Sequence, residues 1–118
     1  FYEDFHFSPG VLDDGLLRCS GVIGIDLENM RVSKDLETQF HQAFSNLRKV
    51  LSEASGDFES IVEMTTFHVG LNDHLEIFMG IKDEYIREPY PAWTAIGVVG
   101  LAFPNALLEI RVNARISV

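Results

Sequence analysis

The segment Leu108–Ile116 alternates strictly between apolar and polar side chains, and this pattern limits what the chain can fold into. A period of two residues predicts a β-strand with one face in a core and the other outside it. The strand therefore belongs to a sheet that is covered on one side only. The inward-facing residues are Leu108, Ile110, Val112, Ala114 and Ile116, and the outward-facing ones are Glu109, Arg111, Asn113 and Arg115.

A different period begins at Asp35, where apolar residues recur every three or four positions as in an amphipathic helix. Ser33 or Asp35 can cap this helix, and the sequence Ser-Gly-Asp at 55–57 ends it. The apolar stripe consists of Leu36, Phe40, Ala43, Phe44, Leu47, Val50, Leu51 and Ala54.

A second helix is predicted from Asp73, which forms a capping-box pattern with Glu76. It runs to about Ile86, because Pro89 and Pro91 prevent its continuation. The predicted core positions of this helix are Leu75, Phe78, Met79 and Ile86.

The remaining strands are predicted at 4–8, at 16–25 with breaks at Gly21 and Gly24, at 60–70, and in the stretch 90–104. A short strand is also expected near 30–32. In the strand at 60–70, one face is expected to carry Ile61, Glu63, Thr65, Phe67 and Val69. The element order is β-β-(β)-α-β-α-β-β in one domain, residues 1–118. Two helices can cover one face of a five- or six-stranded mixed sheet, so the other face meets water or another subunit.

Charge and cysteine content exclude several classes of partner. The chain has 18 acidic and 9 basic side chains, a net charge of -9, which argues against nucleic-acid binding. The single cysteine, Cys19, cannot form an internal disulfide and favours a reducing, cytoplasmic location. No apolar run approaches the roughly 18–20 residues of a membrane span, so no membrane partner is expected.

Several segments together resemble the RidA/YjgF family of reactive-intermediate deaminases, also known as L-PSP endoribonucleases. They are "FSPGV" (7–11), "GLLRCSG" (15–21), the long segment 39–73, "YPAWTAIGV" (90–98) and "ALLEIRVNA" (106–114). The resemblance implies an α+β fold of the YjgF-like, chorismate-mutase-like type, assembled as a homotrimer with small-molecule sites between subunits. It also implies hydrolysis of 2-imino or 2-enamino acids to keto acids and ammonia, without metal or cofactor.

The resemblance implies the site residues as well. Trp93 stands where the family has a carboxylate-binding arginine, Phe7 replaces a frequent tyrosine, and Phe78 aligns with an asparagine. Glu109 matches the glutamate that positions the attacking water, and Ser20 with Gly21 matches the segment that lines the cleft. The positions of a glutamine and of a second glutamate are taken by Val22 and Arg111.

Trp93 and Glu109 also have a plain structural interpretation. Trp93 can be a core residue, or it can line an aromatic pocket with Phe7 and Phe78. Glu109 can pair with Arg111 or Arg115, or it can act as an acid or base from an apolar cleft.

The other candidates are weaker. Arg111 or Arg18 can replace the missing anion contact, and Ser20 lacks the surroundings of a nucleophile. The spacing of His68 and His74 across a strand–helix junction does not indicate a metal site.

The expected function is therefore the binding of a small metabolite, with the standard 2-imino-acid specificity in doubt. An imine or enamine deaminase acting on a less anionic substrate, with Glu109 as the catalytic residue, is the alternative. Endoribonuclease activity is a weaker alternative that rests on the family label.

Overall fold

The computed structural model describes residues 5–117. Eight strands and two α-helices lie in this part of the chain. Their order is β1 (Gly10–Asp13), β2 (Leu16–Cys19), β3 (Val22–Ile23), β4 (Ile25–Asp26), β5 (Arg31–Val32), α1 (Leu36–Glu53), a 3₁₀ turn (Phe58–Ser60), β6 (Ile61–His68), α2 (Leu71–Tyr85), β7 (Ala92–Gly97) and β8 (Leu108–Arg115).

Six strands form one mixed sheet in the order β1-β2-β8-β6-β7, with β3 also paired to β8. β6 and β7 are parallel, and the other pairs of this sheet are antiparallel. β4 and β5 form a separate two-stranded ribbon. The predicted α+β architecture and the alternation of β8 are confirmed, since its apolar residues are buried on one face. We call the opposite face, which carries Glu109 and Arg111, the open face.

The beginning of the chain differs from the prediction. The described part of the predicted strand at 4–8, Phe5–Ser8, forms no strand, and the first strand is Gly10–Asp13 instead. Asp14 and Gly15 explain the shift, because both have positive φ angles, 52° and 80°, as the central residues of a type I′ hairpin turn require. This turn fixes the pairing of β1 with β2. The predicted breaks at Gly21 and Gly24 are confirmed.

The first helix begins as predicted, but the second does not. The Asp35 carboxylate caps α1 by accepting from the Thr38 backbone N–H at 3.0 Å. In α2 the helix starts at Leu71 after Gly70, which has a φ of 78°, and the Asp73 N–H bonds to the Gly70 carbonyl. Asp73 therefore lies inside the first turn, and its predicted capping box with Glu76 is wrong.

The buried side of α2 also differs in part from the prediction. Phe78 and Ile86 are buried as expected, whereas Met79 is 42% exposed. The polar residues His74 and Lys82 are buried instead. Positions 74, 78 and 82 are four apart and so share one face of the helix.

A register shift between Ile61 and Glu63 changes the faces of β6. The extra residue at this bulge turns the strand, so Ile61 is buried together with Met64, Thr66 and His68. The prediction that Ile61 shares a face with Glu63 is wrong. Thr65 and Phe67 face the open side, because they pair with Arg111 and Glu109 of β8.

Aromatic rings fill the space between the helices and the sheet. Phe44 of α1 stacks on Tyr85 at 4.7 Å between centroids, and it also contacts Phe58 and Phe78. Phe40 meets Phe78 edge to face at 5.7 Å between ring centroids.

Neither helix of the described region is long and apolar enough to cross a membrane.

Gln39, buried at the start of α1, fastens the long connection between β7 and β8 to this helix. Its amide nitrogen donates to the carbonyls of Ser33 and Asn105, and its amide oxygen accepts from the Leu107 N–H at 2.7 Å. Gly24 lies against the Gln39 backbone so closely that a Cβ there would overlap it. The entry into β8 is therefore set by contacts to one buried amide.

Candidate functional site

Glu109 is a half-buried carboxylate on the open face. Burial raises the pKa of its carboxyl above the ordinary value. The side chain lies over Gly21, where an added Cβ would be 2.7 Å from Glu109 Cγ. Among residues 5–117 it forms no ion pair, so the predicted alternative of pairing with Arg111 or Arg115 is not observed within the protomer. A desolvated carboxylate without an ion-pair partner can accept a hydrogen bond from a ligand or exchange a proton with water.

Ser20 and Gly21 form the short break between β2 and β3 beside this carboxylate. The Ser20 hydroxyl donates to the carbonyl of Ser8 at 2.7 Å, and its backbone N–H donates to Pro9 at 2.8 Å. These bonds hold the segment that carries Phe7, which is exposed. Because the hydroxyl proton is engaged, the Ser20 oxygen remains an acceptor for a ligand donor rather than an activated nucleophile.

The two arginines predicted as possible anion contacts both lie on the open face. Arg111 is exposed and pairs with Thr65 across β8 and β6. Arg18 pairs with Asn113 and forms an exposed ion pair with Asp13 at 3.6 Å. Arg111 is thus the one of the two without an ion-pair partner in the described region.

Trp93 lies on the other face of the sheet. It pairs with Met64 in the parallel β6–β7 register, and paired residues of neighbouring strands point to the same side. Its ring is half-buried, 6.0 Å from that of Phe78, and its Nε1–H donates to Thr66 Oγ1 at 2.9 Å. Phe78 is fully buried in the core. The structure therefore brings Trp93 and Phe78 together, but not with Glu109.

A buried polar chain continues from Trp93, and the sequence pattern did not predict it. Thr66 Oγ1 is 2.7 Å from His68 Nε2, and His68 Nδ1 is 3.1 Å from His74 Nε2. Desolvation, and then the nearby His74, lower the pKa of His68 to about 4, so the pair is neutral near pH 7. No group of three or more His, Cys, Asp or Glu side chains in residues 5–117 is placed to hold a metal ion.

A cavity of about 220 Å³ adjoins the Trp93 ring on the helix side of the sheet. Lys82 of α2 projects over the ring, with Nζ 4.7 Å from the centroid. The other walls are Met64, Asp83, Ile86, Tyr90 and Pro91. No sequence motif singles out Lys82, although its spacing of four residues from Phe78 puts both on one helix face.

The candidate residues thus form two groups separated by the sheet. Glu109, Ser20, Gly21 and Arg111 belong to the open face and its rim, whereas Trp93 and Phe78 belong to the helix side. Since β6 lies between β7 and β8, the strands that carry Trp93 and Glu109 are about 10 Å apart. One small ligand on a single protomer cannot touch both side chains through the sheet.

Comparisons with known proteins agree with this fold. Residues 3–116 match the family described as "Endoribonuclease L-PSP". The "RutC family protein YjgH" of Escherichia coli K12 is 35% identical over 116 residues, covering 98% of this chain and 86% of that protein. A solved structure of "Protein YJGH" superposes with a TM-score of 0.90 at 35% identity, covering 98% of this chain and 88% of that one.

A more distant relative carries an enzyme name. The "2-iminobutanoate/2-iminopropanoate deaminase" of Dermatophagoides farinae is 29% identical over 109 residues, covering 89% of this chain and 81% of that protein. The match to the family covers nearly the whole described chain, and the segments that suggested the resemblance lie within it. The chain therefore belongs to the RidA/YjgF family, whose members are also described as L-PSP endoribonucleases.

Proposed function

We propose that this protein is a homotrimer that binds a small metabolite in the clefts between its subunits. The observation that carries the proposal is Glu109, a desolvated carboxylate over Gly21 with no ion-pair partner in the described region. No helix of that region covers the open face, which also carries apolar side chains such as Ile96 and Val11. An uncovered sheet face of this kind favours association with further copies.

In this proposal the two groups of site residues meet across a subunit boundary. Because Glu109 and Trp93 of one protomer are on opposite faces, a ligand that touches both takes them from different protomers. Ser20, Gly21, Arg111 and Phe7 would line the cleft with Glu109. Phe78 would support the Trp93 ring from the core, since it is fully buried.

The ligand is proposed to differ from the 2-imino acids of typical family members. An arginine offers a bidentate contact to a carboxylate, whereas indole offers one N–H. In Trp93 that N–H is already bonded to Thr66. The name of the Dermatophagoides farinae relative supports imine chemistry for that protein. The same chemistry in this chain would require a different anion contact.

The alternative is an imine or enamine deaminase acting on a less anionic substrate, favoured by the raised pKa of Glu109. Such a carboxyl can accept a proton from water near neutrality, and a closed cleft would exclude competing solvent.

Ribonuclease activity has no support beyond the family name, because the net charge of -9 opposes binding to phosphate chains. The lone buried thiol of Cys19 favours a cytoplasmic location.

Hydrolysis of imines generated in situ, both 2-imino acids and imines without a carboxylate, separates the binder from the enzyme. Glu109→Gln should abolish turnover if the protein is a deaminase, whereas a binding protein shows only background rates before and after the change. Glu63→Gln is the matched control, because Glu63 is another open-face glutamate and bonds to Asn113. Turnover far above background that Glu109→Gln leaves intact would refute the role of Glu109.

Trp93→Arg tests the specificity argument in the same assay. Restoring the guanidinium should raise the rate on 2-imino acids. The proposal would be contradicted if the wild-type protein already hydrolysed these acids far above background and Trp93→Arg did not raise the rate.

Sedimentation equilibrium tests the trimer, and a monomer at all concentrations would remove the proposed cleft. Failure to retard RNA at any salt concentration would exclude the ribonuclease.

A further inference from the structure

Lys82 is a buried cation at the edge of a cavity and has little to neutralise it. Its side chain is 11% exposed, and its only ion pair in the described region is a 3.4 Å contact to Asp83. The Asp83 side chain is 69% exposed, so water screens this pair. Burying a charge is unfavourable unless it is well paired. The ammonium group therefore keeps N–H donors available for a further acceptor.

The walls around Lys82 favour a flat apolar group beside that acceptor. The Trp93 ring lines the cavity with the Lys82 ammonium over it, and Met64 and Ile86 contribute aliphatic surface. The volume of the cavity is about 220 Å³. This is below the roughly 300–1,000 Å³ typical of drug-sized ligands, so the occupant is a small molecule.

We propose that Lys82 is the anion-binding group of this cavity, which takes a small carboxylate with a flat apolar body. The carboxylate accepts from Nζ in place of Asp83, whose exposed side chain can turn out into water. The body of the ligand packs along Trp93. This inference rests on the proposed function only for the assignment of Trp93 as a ligand contact, and it supplies the anion contact that the missing guanidinium would have made.

Trp93 gives the experiment its signal, because it is the only tryptophan in the chain. Its fluorescence, excited at the red edge of its absorption, is followed as benzoate is added, and calorimetry repeats the titration without an optical signal. Benzamide has the same shape without the charge. We expect a saturable response to benzoate and a benzamide affinity weaker by about tenfold or more, because a hydrogen bond to a charged group contributes at least that factor.

Three variants assign the effect to Lys82. Lys82→Met keeps an apolar stem over Trp93, and it should weaken benzoate binding by about tenfold or more while leaving benzamide unchanged. Asp83→Asn removes the competing carboxylate and should strengthen benzoate binding severalfold, a gain that misfolding cannot produce. Lys49→Met changes an exposed lysine on α1 and should alter neither affinity.

Several outcomes would overturn the inference. Equal affinities for benzoate and benzamide would show that the charge is not recognised, as would a folded Lys82→Met variant that binds benzoate like the wild type. Glu109→Gln separates this inference from the proposed function, because the preference for benzoate over benzamide comes from Lys82 and should survive this change, even where Glu109 of a neighbouring protomer meets Trp93 and the change alters both affinities. If Glu109→Gln abolished benzoate binding while Lys82→Met preserved it, the anion site would belong to the open face instead.

Discussion

The buried histidine pair predicts that acid weakens the fold well above the pH at which its carboxylates take up protons. In the unfolded chain His68 has an ordinary pKa near 6.5, while in the folded chain burial and His74 lower this value to about 4. As the pH falls below about 6.5, the unfolded state therefore binds a proton that the folded state does not, and stability decreases. Between about pH 8 and pH 5 this difference amounts to about 2 kcal/mol.

Two other groups modify this value in known directions. Burial also lowers the pKa of His74, so that residue adds to the loss at low pH. Glu109 has a raised pKa and acts in the opposite direction, because the folded carboxyl is protonated before the unfolded one. The measurement is best made in a Glu109→Gln background, where this opposing contribution is removed.

The assay is urea unfolding followed by circular dichroism at a series of pH values. His68→Gln should remove about 2 kcal/mol from the difference in unfolding free energy between about pH 8 and pH 5. His6→Gln is the matched control, since His6 is exposed and makes no contact with the pair. A His68→Gln protein with the full wild-type pH dependence would refute the assignment, as would a wild-type protein whose stability is constant over this range.

Three further changes test the packing around the site. Gly21→Ala should push the Glu109 carboxyl into water and lower its pKa toward the ordinary value. Carboxyl NMR titration measures this pKa, and an unchanged value would mean that Gly21 does not hold the carboxyl in place. Phe44→Ala removes a fully buried ring stacked on Tyr85 and should lower the free energy of unfolding by about 3–5 kcal/mol in urea titrations; a loss below about 1 kcal/mol would contradict the described core. Burial raises the pKa of the Cys19 thiol to about 11, so iodoacetamide should label it only after unfolding, and rapid labelling of the folded protein would show that the thiol is accessible.

Sequence periodicity predicted the sheet and helices because it reports which side of an element is buried. The alternation of β8 and the apolar stripe of α1 arise from one packed face each, so both could be assigned without coordinates. Periodicity is less informative where backbone geometry shifts the pattern. The bulge after Ile61 and the start of α2 at Leu71 depend on a register shift and on a left-handed Gly70, and neither leaves a clear periodic signal.

The site was harder to predict than the fold, because it depends on which face each side chain occupies. Aligning Trp93 and Glu109 with family positions predicts that both lie near a ligand, but it does not show that the strand register puts them on opposite faces of one protomer. The contact between His68 and His74 arises where the chain turns from β6 into α2. Lys82 was harder to predict, because a helical lysine is usually exposed and its spacing from Phe78 does not by itself show that the stem is buried.

Two hydrogen bonds from Gln39, to Asn105 and Leu107, divide the β7–β8 connection into a part that precedes this clamp and a clamped part. Residues 98–104 precede the clamp, and Val99 is fully exposed, so an inserted peptide tag between Val99 and Gly100 would project into solvent without disturbing the sheet. An added residue after Asn105 would have a different effect, because it would lie inside the clamp and break the contact of the Gln39 amide to Asn105 or to Leu107. The register of β8 itself would hold, because a slip by one residue would bury the charges of the strand and expel its apolar residues.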